Sequence, residues 1–326
     1  MINQILMNWK EKRINMLLSQ IFSRIAVLFI VALIGYIAAK VKILDEVASQ
    51  RFSKFVINIS APLLIISSVI GNSSLRGIND ILLALLLAFG YYIIMFFVAI
   101  PITKLINVPR EERNLYRFML IFPNVGFMGF PIINSIYGKD AIFYVSIYNL
   151  PSIIFLFSLG IYLVRNQKDQ MDFNIKQLIN PSIIAFFIAI LIFILKIQLP
   201  QMINDTINML GDITIPLSLL VIGSSLSTVS IKELLLEKRL YLITVIGNII
   251  IPVTILLLLR LIIINKVIIG VTVLLVGMPV ASLMVMFCHA YEGNVELAAK
   301  AVMFTTLFSI VSIPFLAYLL SRFALL

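Results

Sequence analysis

Asn124 stands in the run Phe122-Pro123-Asn124-Val125-Gly126-Phe127-Met128-Gly129-Phe130-Pro131, inside an otherwise apolar stretch. Proline removes a backbone donor and clashes with the preceding turn, and glycine leaves helical geometry cheaply, so the chain is expected to unwind here. Amides released from Asn124 to Gly129 open a second half-helix at its positive dipole end, where an anion is favoured. Asn124 adds two amide donors without a fixed charge. A second run, Gly277-Met278-Pro279-Val280-Ala281-Ser282, repeats the interruption and contributes a hydroxyl. The chemistry these residue types support is reversible holding of an anion, with a carboxylate as the natural guest. The binding candidates are Pro123, Asn124, Val125 and Gly126 with Pro279, Val280, Ala281 and Ser282, together with Tyr148 and Asn149, which precede Pro151 in a neighbouring stretch. Carbonyls freed by Pro123 and Pro279 could hold a cation or water.

Each candidate has a plainer reading beside the functional one. Asn124 could cap the broken backbone, Ser282 could serve helix packing, and Tyr148 and Asn149 could be ordinary packing residues. A single proline usually only kinks a helix. Two prolines and two glycines within ten residues, matched by a second break, instead point to a crossover of interrupted helices. Two ionisable residues are coupling candidates. Asp212 is the carboxylate placed within an apolar stretch, either as a proton carrier raised by desolvation or as an interfacial residue favouring a helix N-terminus. His289, the one histidine, is either a pH switch or an interfacial residue.

The elements that must position these residues follow from composition. Hydrophobic residues make up 61% of 326 positions and charged ones 12%, with a mean hydropathy of +1.10. This is an all-α polytopic membrane protein. A spanning helix needs roughly 20 mostly apolar residues. Candidate spans fall at about 22–39, 52–70, 81–103, 115–136, 141–164, 182–199, 208–229, 240–264, 267–289 and 297–323. These stretches are too long and uniform for barrel strands. The net charge of +10 is scattered through short loops and forms no basic domain, so lipid headgroups rather than nucleic acid are the counter-charge. One cysteine, Cys288, excludes an internal disulfide, and no His/Cys cluster suggests a metal. Residues 1–20 read as an interfacial segment before an uncleaved first span.

The chain carries an internal repeat. Asn58-Ile59-Ser60-Ala61-Pro62-Leu63 returns as Asp212-Ile213-Thr214-Ile215-Pro216-Leu217, and Tyr137, Pro101 and Pro123 return as Tyr291, Pro252 and Pro279 at similar offsets. One five-helix unit, 21–164, is therefore repeated as 181–326 across a linker at 165–180. Because five is odd, the second copy crosses the membrane inverted. The loops after spans 1, 3, 5, 7 and 9 hold Lys40, Lys42, Arg51, Lys54, Lys104, Arg110, Arg113, Arg117, Arg165, Lys168, Lys176, Lys232, Lys238, Arg239 and Lys300. The opposite loops and the C-terminus hold only Arg76, Lys139, Lys196, Arg260, Lys266 and Arg322. The positive-inside rule then places both termini outside; the N-terminal Lys10, Lys12 and Arg13, with Arg24, dissent.

Ten spans in two inverted halves, a fourth reading Pro123-Asn124-Val125-Gly126-Phe127-Met128-Gly129-Phe130-Pro131-Ile132 then Tyr137-Gly138, and a ninth reading Gly277-Met278-Pro279-Val280-Ala281 then Ala290-Tyr291 resemble the auxin efflux carrier family. That family includes plant PIN carriers and bacterial carriers for malate, malonate and related carboxylates. The resemblance covers about Ile21 to Arg322, and the short central loop matches bacterial members. It implies a fold shared with bile acid sodium symporters. Spans 1, 2, 6 and 7 would form a scaffold, spans 3–5 and 8–10 a moving transport domain in which broken spans 4 and 9 cross. It further implies a homodimer in the bacterial cytoplasmic membrane.

The expected function is secondary transport of a small organic anion by an elevator-type alternating-access movement, without a cofactor and with proton or sodium coupling open. The alternative is a sodium-coupled solute transporter of the bile acid symporter type, although clustered acidic and polar ligands for sodium are lacking. An enzyme is not expected, because Ser, His and Asp fall on different spans without a motif. No phosphate-binding loop suggests a nucleotide-driven pump. A channel would betray itself by unitary currents.

Overall fold

The structure is a computed structural model that describes residues 26–67, 78–165, 181–227 and 237–323, with positions 19, 23, 70 and 325. The side chains of residues 193, 289 and 290 lie outside the described set, as do almost all of the N-terminal segment 1–20 and of the linker 165–180. Everything described is helix or short connection; among the described residues the one trace of β pairing is an isolated bridge between Pro123 and Val280.

In chain order the helices are α1 (Ala26–Lys40), α2 (Glu46–Phe55 continuing to Ala61–Ser67), α3 (Ile78–Leu105), α4 (Arg113–Ile121) and α5 (Val125–Tyr137). After them come α6 (Lys139–Val164), α7 (Pro181–Leu195), α8 (Gln201–Leu226) and α9 (Lys238–Ile262). The last three are α10 (Lys266–Val276), α11 (Leu283–Ala290) and α12 (Val295–Arg322). Among the described residues, five helices (counting α3 from Asn79) are by themselves long and apolar enough to cross a membrane, namely α3, α6, α8, α9 and α12. Leu86, Phe97, Ile194, Leu261 and other large apolar side chains stand on the outside of the protein. In an aqueous protein that surface would be a liability; against lipid it is the expected solvent-facing layer.

Prolines account for three of the local irregularities, though not for the wide turn at Leu156–Gly160. Wide turns closing at i+5 occupy Val56–Ser60, Val125–Gly129 and Ile246–Ile250, and each ends two residues before a proline: Pro62, Pro131 and Pro252. The ring cannot accept the carbonyl four residues back at normal distance, so the helix widens by one residue instead of ending.

Two sets of helices pack among themselves. In the first, α1, α2, α7 and α8 meet at close range because glycines remove the side chains between them. A Cβ on Gly223 would lie 1.7 Å from the Ala32 carbonyl oxygen, one on Gly35 would lie 2.3 Å from that of Leu220, and one on Gly211 would lie 2.9 Å from the Leu64 backbone. The second set holds α3 to α6 and α9 to α12. There α3 lies along α6 and α4, Tyr241 of α9 meets Phe304 of α12 edge to face at 4.7 Å, and Arg260 of α9 stacks over Phe323. The two sets touch chiefly through apolar surface, including Leu28, Leu219 and Ile222 on one side and Met128, Ile132 and Ile310 on the other.

One boundary differs from the sequence reading in a way that matters. The apolar stretch at 208–229 belongs to a helix that starts at Gln201, after Pro200, because the polar first turns, with Asn204, Asp205 and Asn208, are invisible to a hydropathy criterion. Asp212 is therefore three turns into α8, beyond the reach of the N-terminal dipole.

Candidate functional site

The two interruptions meet. Phe122 leaves helical geometry at φ −113°, ψ 86°, and Asn124 follows at φ −78°, ψ 67°, so α4 and α5 are separate rods joined by three extended residues. Between α10 and α11 the chain is likewise non-helical from Gly277 to Ser282. The Asn124 amide donates to the Pro279 carbonyl at 2.7 Å, and the Ala281 amide donates to the Phe122 carbonyl at 2.9 Å. Backbone polar groups exposed by the breaks thus satisfy each other, as burial in an apolar medium requires. The Val280 amide of the second break donates to the Thr305 hydroxyl of α12 at 3.1 Å. Within the first break the Val125 amide donates to the Pro123 carbonyl at 2.9 Å.

A cavity of about 100 Å³ lies against this crossing. Of the residues singled out from the sequence, Pro123, Asn124, Val125, Gly126, Asn149, Ala281 and Ser282 line it. Pro279 and Val280 stand behind, holding the crossing together through their main chains. Tyr148 is turned away. Its hydroxyl pairs with Thr272 of α10 at 2.5 Å, a buried tie between the two halves of the chain, while its neighbour Asn149 lines the cavity.

Asn124 fulfils the capping reading without exhausting its side chain. Its Oδ1 accepts from the Phe127 amide at 3.2 Å, which closes the first turn of α5, and this leaves the Nδ2 donors of a residue only 5% exposed on the cavity wall. Ser282 opens α11 without a side-chain cap bond and also lines the cavity. Two polar residues escaped the sequence reading. Ser152, one turn beyond Asn149 on α6, is paired with the Tyr92 hydroxyl, and Ser182 lies in the first turn of α7. The i, i+3 spacing of Asn149 and Ser152 and the position of Ser182 beside Pro181 were the available signals, but serines in apolar spans are too common to stand out. The rest of the wall is apolar: Val56, Ile57 and Ala61 from α2, with Phe127, Phe130, Ile153, Leu156, Phe157 and Leu283. Among the described residues, no Lys, Arg, Asp or Glu lines it.

Three helix starts, those of α5, α7 and α11, border one cavity that no charged side chain lines among the described residues, and each presents the positive end of its peptide dipoles. Residues 20–317 match the family described as membrane transport protein. The chain belongs to that family, the auxin efflux carrier group whose motifs it shares. A similar protein is an uncharacterized transporter of Methanocaldococcus jannaschii, 24% identical over 303 residues, covering 91% of this chain and 97% of the other.

In this membrane transport protein the two coupling candidates fare differently. Asp212 is far from the cavity wall and pairs with Lys139 at 3.2 Å, its side chain 63% exposed. His289 falls on α11, and its side chain lies outside the described residues.

Proposed function

We propose that this chain is a secondary transporter that carries a small organic anion across the cytoplasmic membrane by alternating access. In this reading the ten spans form two inverted five-helix repeats: α4 with α5 and α10 with α11 are the broken fourth and ninth spans, and both termini lie outside. The observation that carries it is the meeting of the two breaks beside a cavity that offers helix dipoles and amide and hydroxyl donors but, among the described residues, no fixed charge. Such a site holds a carboxylate through oriented dipoles and releases it without separating an ion pair.

The distribution of polarity supports an elevator-like movement. Asn124, Asn149, Ser152 and Ser282 all belong to the set α3–α6 and α9–α12, whereas α2 offers the cavity only Val56, Ile57 and Ala61. A bound anion would travel with the set that holds most of its polar contacts, sliding along the apolar α2 wall and past Ser182 of α7, the polar side chain that the other set brings to the cavity among the described residues. The stationary set would be α1, α2, α7 and α8, whose glycine-mediated contacts leave little freedom.

The test is uptake or counterflow of labelled mono- and dicarboxylates in proteoliposomes. Saturable, carboxylate-selective flux without unitary currents is the expected outcome, and flux must fall in Asn124→Ala with folding retained. Selective transport of an uncharged or cationic solute would overturn the reading.

A further inference from the structure

One ion pair lies within a single helix, between Lys300 and Glu296 of α12. Another joins the two sets of helices. Gly138, at φ +83°, takes a backbone conformation that side chains avoid, and this turn delivers Lys139 to the first turn of α6. From there the Lys139 ammonium donates to Asn208 Oδ1 at 2.8 Å and to Asp212 Oδ1 at 3.2 Å. Asn208 and Asp212 are one turn apart on α8, so they present a single polar face to the lysine. Elsewhere the facing surfaces are largely apolar, as between Leu219 and Ile222 of α8 and Met128 and Ile132 of α5. Apolar contact of this kind slides without a preferred register, whereas a lysine held between two acceptors has one position.

The ion pair and the cavity lie at different depths. Asn149 is ten residues along α6 from Lys139, roughly 15 Å at the rise of an α-helix, and the cavity continues away from Lys139 as far as Phe157, with Ser182 at the start of α7. The cavity therefore reaches toward the end of the protein where α6 finishes and α7 begins, and the lysine joins the sets at the opposite end.

We propose that Lys139 with Asn208 and Asp212 forms a latch that holds the two sets together at the end remote from the cavity, favouring the state in which the cavity serves the other side. This rests on the alternating-access reading above. It also gives Asp212 a task that needs no proton: the carboxylate and Asn208 stabilise one end state and must let go of Lys139 before the other forms. A partly exposed ion pair contributes modestly, so its removal should shift the ratio of the two states about two- to five-fold.

The test uses the full-length protein in proteoliposomes, with Cys288→Ala and a reporter Asn149→Cys, and reads the rate of modification by a membrane-impermeant thiol reagent applied on the Lys139 face. Lys139→Gln and Asp212→Asn should each raise that rate about two- to five-fold, and the charge exchange Lys139→Asp with Asp212→Lys should bring it back toward the starting value. Equal rates in the parent and both single variants would overturn the latch while leaving alternating access intact. Failure of the reporter to react from that face in any variant, with normal reaction from the other face, would overturn the latch and the alternating-access reading together.

Discussion

Asn124 has two tasks that a well-chosen pair of substitutions separates. Its Oδ1 caps α5 through the Phe127 amide, and its Nδ2 faces the cavity. Replacing a capping asparagine by alanine costs about 0.5–2 kcal/mol of stability, whereas serine caps about as well as asparagine. A hydrogen bond to a charged partner contributes about 1.5–3 kcal/mol, which is roughly ten- to 150-fold in affinity. Asn124→Ala should therefore lose both stability and carboxylate affinity. Asn124→Ser should keep its apparent Tm close to the parent while losing roughly ten- to 150-fold in affinity. The serine hydroxyl can accept from Phe127 but is too short to reach the ligand as well. The assay is a thermal-shift titration with whichever carboxylate gives the greatest flux, since a ligand that binds only the folded form raises the apparent Tm in proportion to its affinity. An Asn124→Ser protein that binds as tightly as the parent would show that Asn124 is a cap alone, and the proposed site would lose its central donor.

Other positions give sharp expectations. A Cβ at Gly126 would find only Asn149 Oδ1, at 3.9 Å, so Gly126→Ala should fold normally yet intrude on the cavity; a loss of about 1–3 kcal/mol in binding is expected by the same titration, and unchanged affinity would move the ligand elsewhere. Gly223→Ala should lower the apparent Tm sharply or abolish folding, because a Cβ 1.7 Å from the Ala32 carbonyl forces α1 and α8 apart, while Gly90→Ala, with nothing within 4 Å, should be neutral or stabilise by up to about 1 kcal/mol. Glu112, in the turn before α4, has its carboxyl raised above the ordinary glutamate value, first by burial and then by the charge of Glu237, against the opposing pull of Arg239. A raised carboxyl binds its proton more tightly in the folded state, so its contribution is complete below the unfolded value of about 4 and is lost as pH rises through the folded value. Glu112→Gln should accordingly be more stable than the parent at neutral pH, and the difference in apparent Tm should shrink on acidification; a difference independent of pH would contradict this.

The membrane class and the positions of the breaks were legible in the sequence because both rest on strong local signals. Apolar runs can be counted, and Pro123 with Gly126, or Gly277 with Pro279, disrupts a helix whatever surrounds it. That the two broken spans would cross was implied by the family resemblance. Which side chains face the cavity did not follow, because it depends on how the helices are rotated. Tyr148 and Asn149 are adjacent in sequence yet point to a buried tie and to the cavity respectively. Asp212 was misjudged because hydropathy missed the polar turns that begin α8, which placed the carboxylate near a helix start and left Lys139 out of consideration. Ser182 became visible only once α7 was seen to begin at the cavity wall.

The central claim is that an anion occupies the cavity beside the paired breaks. In protein carrying Cys288→Ala and Ser282→Cys, the rate of modification by a small thiol reagent measures access to that cavity directly. A transported carboxylate should slow the reaction, with half-protection at the concentration that half-saturates its transport by the same protein. Transport that saturates while the modification rate stays constant would place the substrate somewhere else.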